Sequence, residues 1–203
     1  MKTDLKRQIP AYTASRGRFT VVEVPPLRYL MIDGQGDPNT AEAYRDAVAS
    51  IFPLAYRLKF LGKELGSDYV VMPLEALWWS EDMAAFTTDR DPTRWQWTLL
   101  NAVPDWVTQE HLDRARDAAA GRAPALEQVR LERYDEGLSV QTLHVGPYDA
   151  EGPVLEAMHS EFLPAHALRR TGRHHEIYLN DARRTPADRL RTILRQPVAA
   201  AEP

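Results

Sequence analysis

The chain carries an internal repeat. Asp91-Pro-Thr-Arg-Trp-Gln-Trp-Thr-Leu-Leu100 and Thr185-Pro-Ala-Asp-Arg-Leu-Arg-Thr-Ile-Leu194 pair Pro92 with Pro186, Thr98 with Thr192, Leu99 with Ile193 and Leu100 with Leu194, without a gap. Both runs end in a proline stop, at Val103-Pro104 and Pro197-Val198. A period of about a hundred residues is too long for a solenoid, so it signals a duplicated half-domain.

The upstream layout recurs as well. Arg28-Tyr-Leu-Met-Ile-Asp33 reads as a strand closed by Gly34 and Gly36, and Leu138-Ser-Val-Gln-Thr-Leu-His-Val145 as its counterpart closed by Gly146-Pro147. A helix is predicted after each turn. Asn39 to Glu42 has capping-box spacing, and Ala47, Val48, Ile51, Ala55 and Leu58 recur at helical intervals. In the second half Asp149 is the expected cap, Pro153 fits the first turn, and Leu155, Met158 and Phe162 form the stripe. Pro53 and Pro164 should kink or end the two helices. Strands from Tyr69 to Trp79 and from His174 to Leu179 come next, so each half reads strand, helix, strand, strand.

The predicted fold class is therefore α+β: a duplicated strand-helix-strand-strand unit with pseudo-two-fold symmetry. An antiparallel sheet would carry helices on one face and a central ligand groove. The chain reads as one domain over residues 1–203, with halves at about 19–104 and about 126–198. A polar helical linker at about 105–125, starting at Thr108, joins them.

Bulk properties exclude several function classes. A hydrophobic fraction of 44% in 203 residues is enough to build a core. No run approaches the roughly 18 apolar residues of a membrane span, and residues 1–13 lack the apolar centre of a secretory signal. The absence of cysteine removes disulfides, thiolate metal sites and thiol nucleophiles, and fits a cytoplasmic protein. The net charge of −4 lacks the basic excess of a nucleic-acid binder.

Candidate site residues follow from strand alternation. Glu176 and Tyr178 share one face of their strand, and Ile177 and Leu179 share the other. The apolar pair is expected beneath the helices, which would leave Glu176 and Tyr178 facing the groove. In the first half the equivalent position is read as Glu75, with Leu77 and Trp79 on its side. A mid-strand carboxylate is costly unless it is paired, exposed or used. Glu176 is therefore either a buried acid that recognises a cation or activates water, or one half of a cross-strand ion pair with an arginine. Trp78, Trp79, Trp95, Trp97 and Trp106 crowd one window and suit stacking on a planar ligand, though tryptophan also fills cores. Adjacent His174 and His175 point oppositely and no helical metal-ligand spacing exists, so neither metal nor cofactor is expected. Gly34-Gln-Gly36 lacks the third glycine of a phosphate loop and reads as a turn.

His174-His-Glu-Ile-Tyr-Leu-Asn-Asp181, then Thr192-Ile-Leu-Arg-Gln-Pro-Val198, with His144-Val-Gly-Pro-Tyr148 and Asp149-Ala-Glu151 upstream, resembles the GyrI-like small-molecule-binding family. Leu74-Glu-Ala-Leu-Trp-Trp79 and Trp95-Gln-Trp97 resemble a branch of full-length members. The resemblance spans roughly Thr20 to Val198. It implies a central pocket whose acid is Glu176, and family roles as drug-sensing effector domains, a gyrase inhibitor, or hydrolases that open the cyclopropane of DNA-alkylating antibiotics. Residues 1–18 are too few for a helix-turn-helix, so a free-standing binder or enzyme is the expectation. The implied ligand is a hydrophobic aromatic small molecule. Glu176, Tyr148 and Tyr178 would act on it, and Trp78, Trp79, Trp95, Trp97, Glu75 and His144 would hold it.

Overall fold

The structure is a computed structural model and describes residues 2–86, 89 and 91–201. Its contacts divide the chain into two units. One comprises Met1–Gln8 and Leu27–Tyr134, the other Ile9–Pro26 and Asp135–Pro203.

The first unit contains the short helix α1 (Leu5–Gln8) and four strands. These pair antiparallel in the order Leu74–Trp79, Gln96–Val103, Leu27–Gln35, Arg130–Tyr134. With strand β1 (Thr20–Val24) in the second unit, they are β3, β4, β2 and β5. Helix α2 (Glu42–Glu64) covers one face of this sheet through Ile51, Leu54, Ala55 and Leu58, all fully buried. It continues past Pro53 and does not end there. The carbonyl that Pro53 leaves without a donor belongs to Ala49, on the exposed side, where water can take the place of the missing N–H. Nor does the expected capping box form. Ala41 is the N-cap, and Asn39 instead turns back onto the Asp37 carboxylate.

Helix α3 (Gln109–Ala119) begins at Thr108 as its spacing predicts, with the Thr108 N–H donating to His111 Nδ1 at 3.1 Å. The helix looks polar in sequence, yet it buries Leu112, Ala115 and Ala119 and belongs to the first unit.

The second unit repeats the pattern. Strands β6 (Gly137–Val145), β8 (His174–Tyr178) and β9 (Arg191–Ala200) pair antiparallel with β1 in the order β1-β6-β9-β8, and β7 (Leu168–Arg170) pairs with the far end of β9. The covering helix starts as α4 (Gly152–Glu156), widens to π geometry over Ala157–Phe162 and closes as α5 (Leu163–Ala165). Met158 and Leu163 pack on Val140, Leu194 and Val198 of the sheet. Its N-cap is Glu151, where Asp149 was expected.

Matching hydrogen bonds support the duplication. Asn101 on β4 donates to the Met72 and Pro73 carbonyls just before β3. Gln196 on β9 donates to the Thr171 carbonyl just before β8.

Candidate functional site

Strand β8 presents His174, Glu176 and Tyr178 on one face and His175 and Ile177 on the other. Glu176 lies opposite Leu194, and Tyr178 opposite Thr192. Directly opposed residues share a face, and Leu194 is in the core beneath Met158 and Leu163. Glu176 and Tyr178 are therefore on the helix-bearing face, the reverse of the expectation.

The other face holds a closed ionic network. Arg195 donates to Glu136 Oε2 at 2.8 Å, to Gln141 Oε1 at 2.9 Å and to the Ala11 carbonyl, while His175 Nδ1 lies 2.9 Å from Glu136 Oε1. Burial works to raise the Glu136 carboxyl, but the charges of His175 and Arg195 outweigh it and hold the group at about 2. The ion pair weighed in sequence for Glu176 thus occurs one strand position away, at His175.

The equivalence of Glu75 with Glu176 also fails, by a single residue. Gly34 faces Trp97 and Trp97 faces Trp78; His144 faces Thr192 and Thr192 faces Tyr178. By register, then, Trp97 corresponds to Thr192, Trp78 to Tyr178 and Ala76 to Glu176. The second half has one residue more between its proline and its strand (Pro186 to Thr192 against Pro92 to Trp97). The ungapped repeat is off by one along the last strand, and a slip of one turns a strand over. Glu75, buried opposite Leu100 with Leu77 on its face, is the counterpart of His175 and not of Glu176.

This correspondence separates a sealed unit from an open one. In the first unit, Trp97 is fully buried with its ring pressed on Gly34, where an added Cβ would lie 2.1 Å from it. Tyr44 of α2 meets Trp97 edge-on at 5.1 Å and stacks on Trp78 at 6.2 Å. Trp95 stacks on Phe86 at 4.7 Å and donates its N–H to the Ala85 carbonyl at 2.7 Å. Of the proposed stacking residues, Trp78, Trp95 and Trp97 thus form one aromatic cluster, and Trp79 lies half-buried on the Glu75 face.

In the second unit the same positions are polar. The Tyr178 hydroxyl donates to Glu176 Oε2 at 2.7 Å, and His174 Nε2 is 3.5 Å from Oε1. The Tyr148 ring meets Tyr178 edge-on at 5.5 Å. Glu151, buried at the head of α4, makes no cap to its own helix, and its carboxyl feels the charge of Glu176. Burial first, and the Glu176 charge second, push Glu151 up to about 10 against a smaller opposing effect of Thr192. Burial and the neighbouring charges of Glu151, Glu176 and Asp181 raise Tyr148 to about 12, so it stays a proton donor. His159, on the π segment, is held down to about 4 by burial and by His174 and is neutral. The structure brings Glu176, Tyr178 and Tyr148 together. His144 lies on the same sheet face, with Nε2 at 3.1 Å from the Pro147 carbonyl.

Glu151, His159 and Thr192 were missed as site residues. An acid at a helix start reads as an ordinary cap, and only the absent cap bond distinguishes this one. Among the described residues no cluster of three metal-ligating side chains occurs, and no helix is long and apolar enough to cross a membrane.

The fold is a duplicated α+β scaffold, with Glu176 and Tyr178 on the helix-bearing face of the second unit's sheet. The chain belongs to the GyrI-like family: the model of the GyrI-like small molecule binding domain matches residues 18–199. An uncharacterized conserved protein from Listeria innocua is 36% identical, with a TM-score of 0.86 over 98% of this chain and 100% of that one. A Listeria innocua protein described as a hydrolase is 35% identical, with a TM-score of 0.84 over the same shares. The EcmrR C-terminal domain, 12% identical with a TM-score of 0.59 over 91% of this chain and 98% of its own, shares the fold alone. No functionally curated protein matches the chain.

Proposed function

We propose that the protein is a cytoplasmic hydrolase that opens the strained ring of cyclopropane-bearing, DNA-alkylating aromatic compounds. The observation that carries this is the carboxyl pair. Glu176 is 14% exposed at its side chain, desolvated yet reachable by water, and beside it Glu151 keeps its proton at neutral pH. A carboxylic acid that keeps its proton beside a second carboxyl group is an arrangement that general acid–base chemistry uses.

In this reading Glu176 takes a proton from water as the water oxygen bonds to a ring carbon. The ring C–C bond breaks, and its electron pair runs through the conjugated system to a carbonyl oxygen. Tyr148 or the Glu151 carboxylic acid supplies a proton to that oxygen, and Glu176 returns its own to the donor. The product is the substrate plus one water. Tyr178 orients the Glu176 carboxylate through its 2.7 Å hydrogen bond. The hydrolase description of the Listeria relative agrees with this reading.

The test is incubation with a cyclopropane-bearing alkylating agent and mass spectrometry for a product heavier by one water. Glu176→Gln should abolish the product while a neutral aromatic ligand still quenches tryptophan fluorescence. Wild-type protein that binds without turnover would reduce the function to sequestration. Turnover surviving in Glu176→Gln would remove Glu176 as the base.

A further inference from the structure

The second unit contains a cavity of about 490 Å³ on a flank of the α4 helix lined by Ala150, Pro153, Val154 and Ala157, one helical face. His159, four residues beyond Leu155, is on the other flank, toward His174. The sheet side of the cavity is Thr142 and His144, and its outer wall is Arg16 and Phe19. A volume of this size is ordinary for a small-ligand site.

The two units differ in side chains at this place. In the first unit the Trp97 ring lies between Gly34 on the strand and Tyr44 on the helix. The corresponding residues here are Thr192 for Trp97, His144 for Gly34 and, eight residues beyond the turn glycine in each half, Val154 for Tyr44. His144 and Val154 both line the cavity. The place over Gly34 that the indole fills is taken here by the His144 side chain, Thr192 is fully buried, and the cavity opens beside His144 against Arg16 and Phe19. It has aromatic or aliphatic walls in Phe19, Pro153, Val154 and Ala157. At its mouth stands Arg16, exposed and, among the described residues, in no side-chain ion pair. A guanidinium at the mouth of an apolar slot selects a carboxylate by paired hydrogen bonds.

We propose that this cavity is a second ligand site, distinct from the Glu176 cluster, which takes a planar aromatic carboxylate. The ring lies against Phe19 and Val154, and the carboxylate meets Arg16.

The test is calorimetric titration of the full chain with 1-naphthoate and with the neutral 1-naphthamide. Naphthoate should bind saturably at one site, about tenfold more tightly than the amide. Arg16→Gln should bring the two ligands to the same affinity. Ala157→Trp should fill the slot and abolish binding. Val154→Tyr, which installs the first unit's residue at that place, should weaken it, so that a misfolded tryptophan variant does not leave the matter open. Glu176→Gln should leave naphthoate affinity unchanged, which separates this site from the proposed hydrolytic one. The proposal is overturned by the absence of saturable binding, by equal affinity for the amide, by unchanged affinity in Arg16→Gln or in folded Ala157→Trp, or by loss of binding in Glu176→Gln.

Discussion

Replacing Glu151 by glutamine isolates the energetic cost of the acid pair. Glutamine keeps nearly the shape of a protonated glutamate and carries no charge. Glu151 is only 5% exposed, and its carboxyl moves from 4.5 to about 10 on folding. Between those limits the folded state binds one proton more than the unfolded state, so stability falls as pH rises, by about 1.4 kcal/mol per pH unit. Below pH 4.5 both states are protonated and the cost vanishes. At pH 7 it amounts to about 3 kcal/mol. Glu151→Gln should therefore match the wild type in urea unfolding near pH 4, exceed it by about 3 kcal/mol at pH 7, and pull further ahead toward pH 9. Circular dichroism reads both proteins without relying on the tryptophans of one unit. A difference that stays flat across this pH range would refute the idea that Glu151 is folded as a neutral acid.

Glu176→Gln supplies a companion result, because removing the neighbouring charge should lower the Glu151 carboxyl and bring the upper end of that pH dependence downward; a titration of Glu151 by carboxyl-carbon NMR shows it directly. Arg195→Met should cost about 3–5 kcal/mol in urea unfolding, because Glu136 is left buried without its guanidinium. Glu136 is held near 2, so the stability it contributes is present above 4.5 and lost as pH falls toward 2, and Glu136→Gln should flatten the acid limb of the stability curve over that window. Trp97→Ala should cost about 3–5 kcal/mol and Gly34→Ala about 1–3 kcal/mol. Because the two residues touch, Gly34→Ala should cost far less in the Trp97→Ala background, and thermal denaturation showing additive losses would contradict that packing.

The duplication and most elements were legible in the sequence because glycine turns, prolines and apolar spacing are local signals. Thr108 as a cap and the run ending near Gly121 were read directly from such signals. Glu176 and Tyr178 could be grouped by alternation alone. Which way the pair points could not, because Ile177 is fully buried on the face away from the helix, so apolar neighbours do not tell the two faces apart. The continuity of α2 through Pro53 depends on Ala49 facing solvent, which is a tertiary fact. Glu151 was hidden for a different reason. Its chemistry comes from being turned away from its own helix toward Glu176, and no local pattern records an unused cap.

The pairing of β1 bears on how the protein is made. Thr20 bonds to Gln141 across 121 residues, so the first strand to leave the ribosome must wait for β6 before it has a neighbour in its unit. At ~5–20 residues per second that delay is roughly 6–24 s, during which Thr-Val-Val-Glu-Val is an unpaired, β-prone segment on a growing chain. Leu27–Tyr134 is contiguous and can assemble in the interval. The second unit closes last and needs both Ile9–Pro26 and Asp135–Pro203, so a nascent chain arrested before residue 137 has a complete first sheet and a β1 strand still awaiting its partner.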